Sequence, residues 1–160
     1  EILRDFYGLP DKAYLSVIAE VAAKDPTILS RIADRNMEFE KDPRDQSTPK
    51  AMLELLLAID SGKVLSEKSR ESLLATMSRT HTGPGRLKGL LPKGTPVAHK
   101  TGTTGGVAND VGFVTLPDGR RFAIAVYTKS STTSEADRDR AIAEVTRTLY
   151  DFYYLTAQDK

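Results

Sequence analysis

Residues 97–129 read VAHKTGTTGGVANDVGFVTLPDGRRFAIAVYTK, and this stretch decides the fold. Its apolar and β-branched runs are separated by glycine, proline and aspartate, a pattern typical of short strands joined by tight turns. We predict strands at residues 97–103, 110–116 and 121–129, the last two joined as a hairpin across Pro117-Asp118-Gly119-Arg120. The predicted sheet therefore has three antiparallel strands in sequence order.

Helical periodicity surrounds these strands. Apolar residues recur at helical spacing in four stretches, and the expected N-caps of these helices are Asp11, Ser47 or Thr48, Ser66 and Ser134. The order is helices, a hairpin sheet and a long terminal helix. The predicted fold class is therefore α+β, or more loosely an α/β sandwich of helices on an antiparallel sheet.

The composition limits the function. The chain has 160 residues, 39% of them hydrophobic, and a formal net charge of +1, so it can bury a core but shows no charge pattern for nucleic acid. It contains no cysteine, and its two histidines, His81 and His99, are eighteen residues apart, which does not favour a metal site. We expect no cofactor and no transmembrane segment, and any export signal must lie outside this chain.

Lys100-Thr101-Gly102 lies at the end of the first predicted strand, and glycines follow at Gly105 and Gly106. A lysine, a hydroxyl group and unpaired backbone N–H groups together suit an anionic substrate with a reactive carbonyl. Short threonine and glycine strings also mark ordinary turns, so the motif alone does not decide between the two interpretations.

A second feature is the charged, poorly periodic stretch at residues 34–45, which we interpret as a surface loop of functional length. We divide the chain into a helical segment with this loop at residues 1–48, and the helices, strands and terminal helix of one domain at residues 49–160.

Several motifs then occur in one order and at one spacing: Arg44-Asp45-Gln46-Ser47-Thr48-Pro49-Lys50-Ala51-Met52, Ser66-Glu67-Lys68-Ser69-Arg70, Thr82-Gly83, Leu90-Leu91-Pro92, Lys100-Thr101-Gly102, Asn109-Asp110 and Ala125-Val126-Tyr127. In this order they resemble the C-terminal part of a class A serine β-lactamase, or of a penicillin-binding relative with that fold. The match is nearly free of gaps from residue 42 to residue 153. The resemblance implies a β-lactamase/transpeptidase-like fold that is incomplete in this chain.

The resemblance assigns roles to the predicted strand end. Lys100 would attract the carboxylate of a β-lactam or a D-alanyl peptide, and the Thr101 hydroxyl would bind that carboxylate. Gly102 would leave room for the ligand, the backbone N–H of Thr103 would serve the oxyanion hole, and Thr104 would be a neighbouring contact.

In this family an arginine clamps the substrate carboxylate from different positions in different members. One such position is Asn109 here, so we predict that Arg86 is the clamp. Thr82, in the same segment, would face the K-T-G strand across the site. A surface arginine is the alternative interpretation of Arg86.

The family's nucleophile motif S-x-x-K and its S-x-N motif belong upstream of this chain, so we expect the nucleophile to lie outside it. Ser47-Thr48-Pro49-Lys50 does satisfy S-x-x-K. Because Pro49 fits the first position of a helix, we interpret these residues as a helix cap instead.

The family's omega loop carries a glutamate for deacylation and, four residues later, an asparagine. Counting back from Asp45 aligns Asn36 with that asparagine and Ile32 with the glutamate, and isoleucine cannot accept a proton. If the loop is shortened instead, Glu38 or Glu40 would be the candidate base.

Three functions follow from the resemblance. The first is a β-lactamase-like serine hydrolase that acts through an acyl-enzyme, the second a D,D-peptidase or penicillin-binding protein with slow deacylation, and the third an inactive fragment or binding relative. All three imply a periplasmic or secreted protein. They also imply a partner, the N-terminal half of the same protein, without which this chain should expose apolar surface.

Overall fold

A computed structural model describes residues 11–27 and 42–156, which belong to two compact units, residues 1–46 and 47–160. The first unit contains helix α1 (Asp11–Lys24), as predicted, and a short 3-10 helix (Pro43–Asp45). Asp42 caps that turn by accepting a hydrogen bond from the backbone N–H of Arg44 at 2.9 Å. The predicted loop residues Asn36 and Glu38 lie outside the described residues.

The second unit is built on the predicted sheet. Strands β1 (Val97–Thr104), β2 (Val107–Thr115) and β3 (Arg121–Tyr127) pair antiparallel in the order β1-β2-β3. Strand β2 begins three residues earlier than predicted, because Gly105-Gly106 forms a two-residue turn that pairs Thr104 directly with Val107.

Three helices complete this unit: α2 (Pro49–Asp60), α3 (Glu67–Ser78) and α4 (Glu135–Leu155). Thr48, rather than Ser47, caps α2, since its Oγ1 accepts from the backbone N–H of Ala51 at 3.1 Å. Residues 47–50 thus form a helix start, as we interpreted them. Ser66 and Ser134 cap α3 and α4 as predicted.

The helices cover both faces of the sheet. On one face, Leu56 of α2 and Met77 of α3 pack with Val111 and Phe113 of β2. On the other face, the buried cluster includes Ile142 and Tyr150 of α4 with Val97, Val114 and Ile124 of the sheet. The central strand β2 is buried on both faces, which gives the α+β sandwich predicted from the sequence.

Strands β1 and β3 each have one edge without a partner strand among the described residues. Beside the open edge of β3 lies a groove lined by Leu53, Leu57, Leu116, Arg120, Arg121, Phe122, Ala123 and Tyr153. Near this edge the end of α4 exposes large apolar side chains, including Phe152 (56% exposed) and Leu155 (63% exposed). This part of the surface is unusually apolar for a chain in water. In the described part of the chain, no helix is long and apolar enough to cross a membrane.

Gly112 sets the distance between β1 and β2. It pairs with His99, and a Cβ added at Gly112 would lie 2.1 Å from the Ala98 carbonyl oxygen and 2.9 Å from the His99 Cβ. Neither neighbour can move without disturbing the strand pairing. The close approach of the two strands therefore requires glycine at this position.

We expect Gly112→Ala to lower the free energy of unfolding by at least about 2 kcal/mol, because the added methyl group forces the two strands apart. Gly102→Ala is the matched control, since its Cβ would meet only the Asn109 Cβ, at 3.9 Å. Denaturant unfolding checks both variants. Equal stability of the two would contradict this account of the strand spacing.

Candidate active site

The side chains of β1 alternate between its two faces. His99 and Thr101 are buried, whereas Lys100 and Gly102 are exposed. Lys100 lies on the solvent side of the strand, where its Nζ donates to the carbonyl of Thr101. The K-T-G motif thus places a positive charge on the accessible face of an edge strand.

The segment after α3 lies against this motif, as the sequence predicted for Thr82. The Oγ1 atoms of Thr82 and Thr101 are 2.5 Å apart and share a hydrogen bond. Gly83 makes this approach possible, because its φ is +57° and a Cβ there would lie 2.8 Å from Thr101 Cγ2. Two hydroxyl groups therefore meet at the residue next to Lys100, on the face of β1 opposite to the lysine side chain.

The side chain of Arg86 lies on the buried side of β1 and not on its solvent-exposed side. Its side chain is 2% exposed, and its Nε donates to Asp139 of α4 at 2.7 Å. One terminal nitrogen donates to the carbonyls of Gly102 (3.1 Å) and Asn109 (3.2 Å). The other donates to Thr103 Oγ1 at 2.9 Å. Every guanidinium nitrogen is bonded to the protein itself, which differs from the expectation that Arg86 faces a ligand.

Thr103 and Thr104 complete β1. Thr103 is exposed and pairs with Ala108, and Thr104 is half-buried beside the turn. Along an edge strand, alternate N–H groups point away from the neighbouring strand. The open edge of β1 therefore offers backbone donors next to Lys100, as an oxyanion hole requires.

Sequence reasoning missed a buried polar pair behind the motif. His99 and Asp110 are both 0% exposed, and the His99 Nδ1 lies 2.8 and 2.9 Å from the two carboxylate oxygens of Asp110. Asp110 also accepts from the backbone N–H of Leu87 at 3.2 Å. The glycine pair at residues 105–106 could have revealed this contact, because a two-residue turn there places His99 diagonally across from Asp110.

Asn109 has a structural part in the site. Its Oδ1 accepts from the backbone N–H of Thr128 at 3.0 Å and so joins β2 to the end of β3. Among the described residues, no cluster of three or more side chains suited to a metal ion is found. The predicted residues Asn36 and Glu38 lie outside the described residues, so their roles stay predictions.

Comparison with known proteins identifies the family. The model of the β-lactamase enzyme family matches residues 7–153. The extended-spectrum β-lactamase PER-1 of Pseudomonas aeruginosa is 35% identical over 158 residues, which cover 95% of this chain and 51% of that protein. The chain thus spans about half the length of this relative.

Comparison with solved structures supports the same family assignment. The crystal structure of the TLA-1 extended-spectrum β-lactamase superposes with a TM-score of 0.64 at 43% identity, over 68% of this chain and 42% of that one. An acyl-enzyme complex of a PBP-A mutant with penicillin G superposes with a TM-score of 0.61 at 36% identity, over 67% of this chain and 40% of that one. With its K-T-G strand at a sheet edge and helices on both faces, the chain belongs to the β-lactamase enzyme family and corresponds to the C-terminal part of the class A fold.

Proposed function

We propose that this chain supplies the K-T-G wall of a class A β-lactamase-like serine hydrolase that opens β-lactams through an acyl-enzyme. The observation that carries the proposal is the arrangement of Lys100, Thr101 and Thr82 at the open edge of β1, with the two hydroxyl oxygens 2.5 Å apart. The Lys100 charge and the hydroxyl groups flank this edge from opposite faces of the strand, so a ligand bound along the edge would meet both, together with the free backbone N–H groups. Family membership supports the same chemistry.

The family resemblance gives the strand residues their proposed roles, and this geometry supports them. The carboxylate of a β-lactam would bind the Lys100 ammonium and the Thr101 hydroxyl, which can turn its proton from Thr82 toward the ligand. Gly102 leaves the strand surface open, and the backbone N–H of Thr103 would stabilise the oxyanion that forms during acyl transfer. Thr104 would border the bound ligand at the turn.

For Arg86, the geometry favours an indirect role. A guanidinium that is 2% exposed and bonded to Asp139 meets a ligand carboxylate only after breaking those bonds. Its hydrogen bonds to the Gly102 carbonyl and to Thr103 Oγ1 instead hold in place the part of β1 that carries the Thr103 N–H. We therefore assign Arg86 as a positioning residue, in place of the clamp predicted from the sequence.

The nucleophile would come from outside residues 1–160. Relatives such as PER-1 are about twice as long as the aligned chain, and Ser47 with Lys50 forms a helix start. The N-terminal half of the same protein is the expected source. It would also supply a strand to the open edge of β3 and cover the apolar groove beside it.

A second candidate is a penicillin-binding protein with slow deacylation. It is favoured by the similarity to PBP-A, a mutant of which was solved as an acyl-enzyme with penicillin G. The gap-free count of the loop supports it too, because Ile32 then takes the place of the family's glutamate; a shortened loop would leave Glu38 or Glu40 as the candidate base. The two candidates differ in the lifetime of the acyl-enzyme. The periplasm or the exterior of a bacterium is the expected location for either.

The site of acylation tests the proposed function. We expect intact-mass analysis of the longer protein that carries this chain to show one penicillin adduct, and peptide mapping to place it on a serine outside residues 1–160. Lys100→Ala should slow adduct formation about 100-fold, through the lost charge at the carboxylate. Lys93→Ala, at an exposed position outside the motif, is the control. An adduct on Ser47, or no adduct at all, would contradict the proposal.

Glu38 is tested by deacylation. If it is the base, Glu38→Gln should leave acylation unchanged and slow release of the acyl group about 100-fold or more, because the amide cannot accept a proton from water. Nitrocefin turnover after the initial burst measures this step. Glu40→Gln tests the alternative base, and Glu54→Gln, at an exposed position of α2, is the control. Unchanged turnover in Glu38→Gln removes this residue as the base, and a burst without turnover in the wild type favours the penicillin-binding candidate.

The role of Arg86 is tested by stability. Arg86→Lys should lower the free energy of unfolding by about 2–4 kcal/mol, because one ammonium group cannot replace a planar fork with four partners. Arg140→Lys, on the exposed face of α4, should leave the unfolding midpoint unchanged. If Arg86→Lys were as stable as the wild type and lost only affinity for substrate, a direct clamp would be the better assignment.

A further inference from the structure

We propose that His99 is a positioning residue for the K-T-G motif, anchored by Asp110 and acting on Lys100 and Thr103 through the backbone of β1. This inference rests on the proposed function, because it concerns the same site. It extends that function to a buried pair on the opposite face of the strand from Lys100.

The side chain of His99 is fixed at one atom. His99 Nδ1 lies 2.8 and 2.9 Å from the two carboxyl oxygens of Asp110, so one hydrogen bond joins the ring to this residue. Where the carboxyl group is ionised it can only accept, and the proton of that bond is then on Nδ1. The buried Nε2 has no partner in the described part of the chain. Among the described residues, Asp110 is therefore what orients the imidazole ring.

The backbone of His99 is fixed independently. Its carbonyl accepts from Thr80 Oγ1 at 2.6 Å, which joins β1 to the end of α3. Its Cα packs against Gly112, where no side chain can fit. Residue 99 is thus held from three directions, and the next residue along the chain is Lys100.

Asp110 extends this anchor to the segment that carries Arg86. It accepts from the Leu87 N–H at 3.2 Å, while Arg86 bonds the carbonyls of Gly102 and Asn109. The contacts of Asp110 and those of Arg86 involve adjacent residues of β2, Asn109 and Asp110. Both sets of contacts hold the K-T-G motif from the interior of the protein. Displacing His99 therefore shifts Lys100 and the Thr103 N–H together, and small displacements of such groups are costly for acyl transfer.

The test compares variants of the longer protein that carries this chain. His99→Leu removes the donor, His99→Asn replaces Nδ1 by an amide nitrogen in nearly the same place, and His81→Leu is the control at the exposed histidine. We expect the acylation rate constant per active site to fall about tenfold or more in His99→Leu and to recover to within about threefold of wild type in His99→Asn. The deacylation rate constant should stay unchanged in both.

Active-site titration separates positioning from folding. The amplitude of the acylation burst counts folded sites, whereas its rate constant reports their geometry. A loss of amplitude alone in His99→Leu, or a His99→Asn variant as slow as His99→Leu, would overturn the proposal.

A readout without substrate separates this inference from the proposed function. In ¹⁵N-labelled protein, we expect a slowly exchanging Nδ1 proton from His99 that disappears in Asp110→Ala. In that variant, amide exchange should also become faster at those of residues 100–103 whose N–H pairs with β2. Absence of this protected proton would overturn the His99 proposal even in an active enzyme. Absence of acylation with the proton present would overturn the proposed function and leave the anchor of β1 intact.

Discussion

The buried guanidinium of Arg86 is the interaction on which the second unit depends. A positive charge that is 2% exposed must be neutralised and fully hydrogen-bonded, and Asp139 meets the first requirement at 2.7 Å. Backbone carbonyls of β1 and β2, with Thr103 Oγ1, meet the second. One side chain thus joins α4 to both strands of the site. Glu135, at 3.5 Å and exposed, adds a weaker and more screened attraction.

Because Arg86 occupies the buried side of β1, the side chains on the two faces of this strand have different roles. The polar side chain of His99, on the buried face, is bonded within the protein through its Nδ1. Lys100, on the exposed face, bonds to the adjacent backbone at Thr101 and can exchange that bond for a ligand. Electrostatic preorganisation requires donors that the protein holds rigidly and that a ligand can reach, because these donors then need not reorient when charge develops in the transition state.

The elements with strong local signals could be predicted from sequence. The side chains of Thr48 and Ser66 accept hydrogen bonds from backbone N–H groups three residues further along the chain, so their capping role can be inferred from the neighbouring residues alone. The start of β2 was predicted three residues late, because a glycine-rich stretch that is typical of a loop can also close a tight turn. Local patterns do not separate these two cases.

The candidate site was harder to predict, because its contacts join distant residues. The family motif located Lys100 and Thr101, and proximity of Thr82 followed from it. The burial of Arg86 did not, because its partner Asp139 lies 53 residues further along the chain. Likewise, a histidine in a strand gives no sign of facing an aspartate until the register is known. Asn36 and Glu38 stay predictions, since they lie outside the described residues.

The two sheet edges have opposite requirements. If β1 binds a substrate with its outward N–H groups, no further strand can be added there, and any growth of the sheet must occur at β3. The side chains agree with this division. Beside β1 the surface carries Lys100, and a lysine at an edge strand discourages strand addition. The groove beside β3 is lined mostly by apolar residues such as Leu57, Phe122 and Tyr153, together with Arg120 and Arg121. The mostly apolar groove at β3 is suited to packing against another part of a protein, whereas the lysine at β1 is suited to binding an anionic ligand. On the proposed function, substrate binding and strand addition would therefore occur at opposite edges of the three strands that the structure describes.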